Sequence, residues 1–266
     1  MKQFSLIVLC AMTCILSGCN KYPDCSPATH SCQIVKIIQG FAVVAPEDTL
    51  TFAYNNKGNP VSITRTYVGT SSPNFLFIYD KKNRLTDFYG VYTSPNPYFD
   101  IWHRYHYDAK NRIISDTTFE FGLVGPGIPL PDQTNNGQLR VRNVSTYGYD
   151  LKDRIIKSTD TYGFVESDIT TRLYTYNRDG NLVKIVTTRS GATNTANFSF
   201  DDKINLRSTH PIWQFLDRDY SVNNSFHATA FNQYGLPTAL DFSNSHGYGQ
   251  FATMLLTDLQ ISYNCR

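Results

Sequence analysis

The chain has 266 residues and carries 24 Lys and Arg against 22 Asp and Glu, a formal net charge of +2 at pH 7. A charge this close to zero gives no electrostatic basis for nucleic-acid binding, so nucleic acid is excluded as an expected partner. Aromatic residues make up 14% of the chain, nearly all of them Tyr and Phe, and this enrichment favours β-strands over helices.

The N-terminus has the pattern of an export signal. An apolar run extends from Phe4 to Leu16 and is shorter than the ~20 residues that a membrane-spanning helix requires. It leads into Ser17-Gly18-Cys19, and this ending resembles the lipobox of bacterial lipoproteins, in which small residues precede a diacylated cysteine. The resemblance implies a lipoprotein signal peptide over 1–18 and a lipid on Cys19. An ordinary secretory signal that is cleaved elsewhere is the alternative.

The lipobox resemblance also implies a location for the mature protein. Two or more acyl chains anchor a protein stably, because each buried CH₂ contributes about 0.8 kcal/mol. We therefore expect residues 19–33 to form a lipidated tether, a short polar stretch that includes Pro23 and Pro27. The expected location is the cell envelope, on the outer membrane, with the membrane as a partner through the lipid anchor. A barrel that itself crosses the membrane is the weaker alternative, because the anchor is already supplied.

Three cysteines remain after the signal peptide and Cys19: Cys25, Cys32 and Cys265. Thiols tend to pair in an oxidising compartment such as the envelope, so one disulfide is expected. A Cys25–Cys32 bond needs only local closure, whereas a Cys32–Cys265 bond would join the first strand to the last, and the sequence leaves both open. Cys25, His30 and Cys32 lack a fourth ligand at the spacing of a zinc site, so we expect no metal and no other cofactor.

Residues 34–266 are expected to form a single β domain built on a repeated turn. After an apolar opening strand over 33–45, the turn recurs at intervals of 24 to 42 residues. Each copy has an aromatic residue followed by Asn or Asp, and six of the seven have Gly, Asn or Asp three positions later; the exception is Ile204. Such residues close tight turns and adopt the left-handed conformation cheaply, so the pattern predicts hairpins. The turn-opening residues are Asn55, Asp80, Asp108, Asp150, Asn177, Asp201 and Asn232.

About seven hairpins in succession predict a long antiparallel meander of about 16 strands. Open sheets of more than about 10 strands tend to curl or close, so we expect an all-β barrel or half-barrel. Two segments break the pattern. The Gly- and Pro-rich segment 122–136 predicts a surface loop, and 211–217, which begins with Pro211, predicts a short amphipathic helix packed inside the sheet.

The repeat can be compared with a known family. The stretch 105–113, YHYDAKNRI, resembles the YD repeat of Rhs-type proteins. Together with the lipobox and the element 232–237, NQYGLP, it is similar to a Bacteroidetes-type family of lipoproteins of unknown function with a porin-like β fold. The resemblance covers nearly the whole mature chain. It implies architecture and brings no catalytic residues with it.

No residue pattern in the sequence specifies catalysis. His103 and His106 have the spacing of a metal pair on a helix, but on a strand residues three apart point to opposite faces. We therefore predict that the protein is not an enzyme and has no catalytic residues. The expected function is a non-catalytic binding or scaffolding module for a glycan, lipid or protein ligand. The alternative is a glycan-directed hydrolase or a transport component whose carboxylates the sequence cannot place.

A binding site is expected where the repeat is interrupted, because the tight turns are needed to hold the strand register. The interrupted segments are 92–102, 122–136 and 210–220. The candidate ligand-binding residues are Tyr98, Phe99, Trp102 and Trp213. For Trp213 we favour the competing interpretation, in which its ring plugs the inside of the sheet.

Overall fold

The structure is a computed structural model that describes residues 32–41, 45–69, 72–92, 98–123, 140–163, 168–241, 251 and 258–266. Several predictions lie outside the described residues: the signal peptide 1–18, the lipidation site Cys19, the candidate cysteine Cys25 and most of the tether 19–33. Most of the predicted loop 122–136 also lies outside them.

Fifteen antiparallel strands form one sheet. Each strand from β1 to β11 pairs with the next along the chain, and β1 also pairs with β15, which continues to β14 and β13. The edges are β12 and β13, and no pairing joins them in the described part of the chain. The all-β meander is confirmed, and it takes the form of a curled half-barrel. The strands are β1 (Cys32–Phe41), β2 (Ala45–Tyr54), β3 (Pro60–Arg65), β4 (Asn74–Tyr79), β5 (Leu85–Tyr92), β6 (Tyr98–Tyr107), β7 (Ile113–Leu123), β8 (Arg140–Tyr149), β9 (Ile155–Tyr162), β10 (Ile169–Tyr176), β11 (Leu182–Arg189), β12 (Ala192–Asn197), β13 (His227–Phe231), β14 (Pro237–Asp241) and β15 (Leu259–Cys265).

The repeated turns close by the predicted side-chain bonds. In the β4–β5 turn, Oδ1 of Asp80 accepts hydrogen bonds from the backbone N–H groups of Lys82 and Arg84, at 2.8 and 2.9 Å. Asn83 has φ of 60°, in the left-handed region that Asn tolerates. The turns that open at Asp108 and Asp150 repeat both features. One Asp therefore satisfies two backbone donors and fixes the register of each hairpin.

Each hairpin is also tied to the hairpin before it. The Tyr79 hydroxyl donates to the carbonyl of Pro60 at 2.6 Å, and the Tyr107 hydroxyl donates to the carbonyl of Leu85 at 2.7 Å. Tyr54, Tyr149 and Tyr263 make the equivalent bond. An arginine adds a second link, because Arg84 pairs with Asp80 in its own turn and lies over the ring of Tyr107 at 4.6 Å in the next repeat. These turns all lie at the same ends of the strands, and we call this side of the sheet the turn end.

The prediction of a hairpin at Asp201 is wrong. Asp201 still accepts from the backbone of Lys203 at 2.8 Å, but Ile204 forms an isolated bridge with Asn223 in place of starting a strand. The reason lies at Ile204, because this β-branched side chain disfavours the left-handed conformation that the other turns use at the same position. After β12 the chain therefore leaves the sheet.

Segment 198–226 runs from one edge strand of the sheet to the other. On the β11 side, Asn181 and Asn223 exchange two hydrogen bonds, at 2.9 and 3.0 Å. On the β13 side, the N–H of Ile204 donates to the carbonyl of Gly235 at 3.4 Å. Hydrogen bonds of this irregular segment thus span the gap between the two edges near the turn end.

The predicted helix is confirmed as α1, Pro211–Asp217, which follows a 3-10 turn, Leu206–Thr209. His210 caps its start, with Nδ1 accepting from the N–H of Ile212 at 3.2 Å. Burial lowers the pKa of His210 to about 4, so the ring is neutral near pH 7 and can accept this bond. Arg218 ends the helix in the left-handed conformation, with φ of 54°.

Helix α1 fills the curled face of the sheet. Trp213 has 0% exposure and packs edge-on against Phe52 and Phe77, with ring centroids 5.8 and 5.7 Å away, while it stacks on Phe251 at 4.8 Å. One continuous cluster of buried side chains joins this helix to strands β1–β7, β9–β11, β14 and β15. Where α1 packs, the inside of the half-barrel is therefore filled with side chains.

A buried ion cluster fastens α1 to the 3-10 turn. Nε of Arg207 donates to Asp217 at 2.5 Å, and Nη1 donates to Asp219 at 3.3 Å, with all three side chains at most 1% exposed. Three buried charges are tolerated only when they are paired, so this cluster holds the helix at one place in the core.

The first and last strands are joined covalently. Of the two pairings that the sequence left open, the structure has Cys32 bonded to Cys265, which lie opposite each other in the β1–β15 pair. The cross-link closes a loop with a sequence separation of 233 residues. It fixes the seam between the beginning and the end of the meander.

Replacing Cys32 and Cys265 together by Ser is expected to lower the free energy of unfolding by about 2–5 kcal/mol, because the unfolded chain loses a long-range restraint. Chemical denaturation without reductant measures the loss. Reductant should bring the wild-type protein down to the stability of the variant and leave the variant unchanged. A variant as stable as the oxidised wild type would contradict a stabilising role for this bond.

Candidate functional site

A polar cavity of about 240 Å³ lies on the curled face of the sheet, between strands β6 to β10 and the end of α1. We call it the concave cavity. Its polar lining comes from side chains that point to the same face on neighbouring strands. Among them are His103, Asp116, Ser145, Asp160, Arg172 and Arg218.

Strand register brings these residues together. Asp116 lies opposite Ser145, and Ser145 lies opposite Asp160, so the three form one row across β7, β8 and β9. The same row begins with Tyr105 on β6, opposite Asp116. His103 belongs to the adjacent row, where it lies opposite Thr118. Residues far apart in the sequence thus meet because directly opposed side chains lie about 4.5–5.5 Å apart.

His103 and Asp116 form a buried pair in this cavity. Nδ1 of His103 lies 2.8 Å from Oδ2 and 3.0 Å from Oδ1 of Asp116, and 3.2 Å from the Thr118 hydroxyl. His103 is 6% exposed, and its Nε2 is buried with no hydrogen-bond partner among the described residues. An Nδ1–H that donates to the carboxylate leaves Nε2 of the neutral ring as an acceptor. A buried polar atom that makes no hydrogen bond within the protein is rare, so Nε2 is a candidate binding group of this cavity.

Asp160 is the centre of a second charged group. Arg218 approaches it with both terminal nitrogens, at 3.0 and 2.9 Å, and also donates to the Ser158 and Ser145 hydroxyls. Arg172 pairs with the same carboxylate. Burial alone would raise the pKa of Asp160, but the charge and hydrogen bonds of Arg218, with Ser145 and Arg172, outweigh it and hold that pKa below its usual range.

Aromatic rings form the rest of the wall. Phe215 of α1 packs edge-on against Tyr105 and Tyr147, with centroids 5.4 and 5.5 Å apart. The Tyr147 hydroxyl lies 3.5 Å from Asp116 and 3.4 Å from Arg218. Tyr147 therefore stands between the two charged groups and connects them.

The predicted ligand-binding residues do not meet at this cavity. Trp102 and Phe99 belong to a cluster on the opposite face of the sheet, where Trp102 is 1% exposed and stacks between Tyr89 and Phe119. Trp213 is in the core. Phe99, Trp102 and Trp213 are at most 1% exposed and take part in packing, and a binding role for them stays a prediction.

Tyr98 is different, because it is 39% exposed and stacks on Tyr92 at 4.5 Å. Its binding role stays a prediction.

Sequence reasoning missed the cavity residues, although part of the signal was present. His103 is buried and His106 is exposed, so the two rings point to opposite faces as predicted for a strand. The available signal was the placement of Asp116 and Asp160 inside strands, where Asp is disfavoured. No cluster of three or more His, Cys, Asp or Glu side chains has the arrangement of a metal site within the described ranges.

The fold and the cavity together define a class: an open, curled antiparallel sheet built on Tyr-Asp turns, with a polar cavity on its core face.

No family model and no curated protein matches the chain. Among solved structures, a porin-like protein from Bacteroides uniformis matches with 11% identity and a TM-score of 0.45, covering 89% of this chain and 98% of that one. A porin-like protein from Bacteroides vulgatus matches with 11% identity and a TM-score of 0.41, covering 87% and 98%.

A Tc holotoxin pore from Photorhabdus luminescens matches with 18% identity and a TM-score of 0.32 over 72% of this chain. This chain spans only 10% of that toxin chain. These likenesses are too remote to transfer an activity. No helix in the described part of the chain has the length and apolarity needed to cross a lipid bilayer.

Replacing Asp160 with Asn is expected to lower the free energy of unfolding at pH 7 by about 3–5 kcal/mol, because Arg172 and Arg218 lose the carboxylate between them. The folded-state pKa of Asp160 lies below the ordinary 3.8, so its stabilising contribution is complete above about pH 5 and is lost as the pH falls through the folded-state pKa. The difference between wild type and variant, measured by urea denaturation, should shrink as the pH is lowered from about 5 to about 2.

The exposed Asp202 provides the control, because Asp202→Asn should leave stability at pH 7 unchanged within error. A wild-type-to-Asp160→Asn difference that stays constant down to about pH 2 would contradict the assignment.

Proposed function

We propose that this protein is a non-catalytic binding module of the cell envelope, and that its concave cavity takes a small hydroxyl-bearing ligand of the glycan class. The observation that carries the proposal is the buried, unpartnered Nε2 of His103. In the tautomer whose Nδ1–H donates to Asp116, this nitrogen is a hydrogen-bond acceptor, and a sugar hydroxyl can donate to it.

The size and the wall of the cavity support a small polar ligand. Pockets for drug-sized molecules have about 300–1,000 Å³, and the concave cavity with about 240 Å³ is smaller. That volume suits one sugar unit or a similar polar group. Tyr147 and Phe215 supply aromatic surface beside the hydrogen-bonding groups, a combination that fixes the orientation of a ligand.

The electrostatics of Asp160 do not suit this residue to glycoside hydrolysis. A hydrolase of this class needs a carboxylic acid whose pKa is raised, so that it can protonate the leaving oxygen. Asp160 has the opposite character, because Arg218 and Arg172 hold its pKa low. Near His103 the Thr118 hydroxyl contacts Nδ1 and not Nε2, so Thr118 is not placed as a nucleophile for that base. A glycan-directed hydrolase or transport component is the second candidate.

Replacing His103 with Asn should reduce glycan affinity by about 5- to 100-fold, the loss of one or two hydrogen bonds in a buried site. The Asn amide can still donate to Asp116, but it has no atom at the position of Nε2. Binding of the full chain, purified in detergent, is measured first on an array of neutral and acidic glycans and then by titration calorimetry with the sugars that bind.

The matched control is His106→Asn, which makes the same change on the exposed face of the same strand. Both variants should unfold within about 1 kcal/mol of the wild type, because His103→Asn keeps the bond to Asp116. An array without bound glycans would sink the proposal, and so would turnover of chromogenic glycosides, which would favour the hydrolase.

The envelope location rests on the lipobox-like sequence that ends at Cys19. In cells, replacing Cys19 with Ala is expected to move the protein from the membrane fraction to the soluble fraction, because the acyl anchor is lost. Cell fractionation with immunodetection measures the shift. The control is Cys25→Ala, which should remain with the membranes. A Cys19→Ala protein that is still membrane-bound would contradict lipid anchoring at this residue.

A further inference from the structure

The concave cavity has more positive than negative side chains. Three guanidinium groups line it, those of Arg142, Arg172 and Arg218, against two carboxylates, those of Asp116 and Asp160. Arg172 and Arg218 share Asp160, and Asp116 contacts the imidazole of His103. The arginines and aspartates of the lining thus leave one positive charge in excess (three minus two).

Among the described residues, Arg142 is the arginine of the lining that has no carboxylate partner within the cavity. It is the extra residue of a β-bulge, because Thr118 lies opposite Asn143 and Phe119 lies opposite Val141. A bulge re-aims a side chain out of the regular alternation, and here it makes Arg142 part of the cavity lining while leaving it 51% exposed. Arg142 thus lies at the opening of the cavity.

The carboxylates near Arg142 do not fully neutralise it. Glu120 forms ion pairs with Nε of Arg140 at 3.4 Å and Nε of Arg142 at 3.9 Å, so one carboxylate is shared by two exposed guanidinium groups. Asp100 accepts a hydrogen bond from the Tyr92 hydroxyl at 3.0 Å, and burial raises the pKa of its carboxyl. Neither provides Arg142 with a close, bidentate partner among the described residues.

We propose that the ligand of the concave cavity is a carboxylate-bearing sugar of the uronate class, bound with its carboxylate at Arg142 and a hydroxyl at Nε2 of His103. The inference rests on the proposed function and narrows it. A uronate combines the two groups that the cavity lacks, an anion for the excess guanidinium and a donor for the buried imidazole nitrogen. Arginine matches a carboxylate with two parallel hydrogen bonds, which are stronger than bonds between neutral groups.

The experiment compares galacturonate with galactose, and glucuronate with glucose, by ligand-observed NMR titration of the full chain in detergent. The wild type is expected to bind each uronate about tenfold or more tightly than its neutral counterpart, the effect of a charge-assisted bond. Arg142→Gln should remove the preference, so that each uronate binds no more tightly than its neutral counterpart. Lys157→Gln is the matched control, since Lys157 is exposed on β9 outside the cavity lining and its loss removes the same charge.

The outcomes separate the two proposals. Equal binding of neutral and acidic sugars would overturn the uronate inference and leave the binding function standing. Preference for uronates that survives Arg142→Gln would overturn the assignment of the carboxylate to Arg142. Binding of neither kind of sugar would overturn both proposals together.

Discussion

A tyrosine hydroxyl that donates to a strand carbonyl of the preceding hairpin is the bond on which the rest of this sheet depends. Tyr79, Tyr107 and Tyr149 make it in successive repeats, each beside an Asp that closes its own turn. Because these rings and the aromatic residues two positions earlier point to one face, that face is apolar along most of the sheet and must be covered. The sheet therefore curls around it, and α1 with Trp213 fills the remaining space.

The concave cavity exists because this aromatic pattern is interrupted over a few strands. Where Tyr105 begins a row on β6, the following positions are Asp116, Ser145 and Asp160. Buried carboxylates are costly unless they are paired, and the pairing of Asp160 comes from Arg172 and from Arg218 at the end of the helix. His103 Nε2 is buried in this group without a hydrogen-bond partner among the described residues, and the place where packing is interrupted is therefore the proposed binding site.

The turns could be predicted from the sequence because each depends on a few consecutive residues. Asp or Asn opens the turn, Asn or Gly turns the backbone, and neighbours in space are neighbours in the chain. The same local rule explains the failure at Asp201, where the sequence already showed Ile204 in place of a turn residue. The cavity could not be predicted, because Asp116 and Asp160 meet only through the register of three strands. The disulfide stayed open for a related reason, since Cys32 and Cys265 become neighbours only when β1 pairs with β15.

Arg218 links the packing of the core to the geometry of the cavity. It follows α1 in the left-handed conformation, which costs a residue with a side chain about 1–2 kcal/mol, whereas Gly would adopt it at no cost. The hydrogen bonds of its guanidinium offset this cost, because the group contacts Asp160, Ser145, Ser158 and Tyr147. Trp213 sits earlier in the same short helix, locked between Phe52, Phe77 and Phe251. Because Arg218 directly follows the helix that carries Trp213, the aromatic core positions the cation that shapes the cavity. A ligand held by that cavity must in turn stabilise the wrapped sheet, since anything that binds only the folded state shifts the unfolding equilibrium towards it.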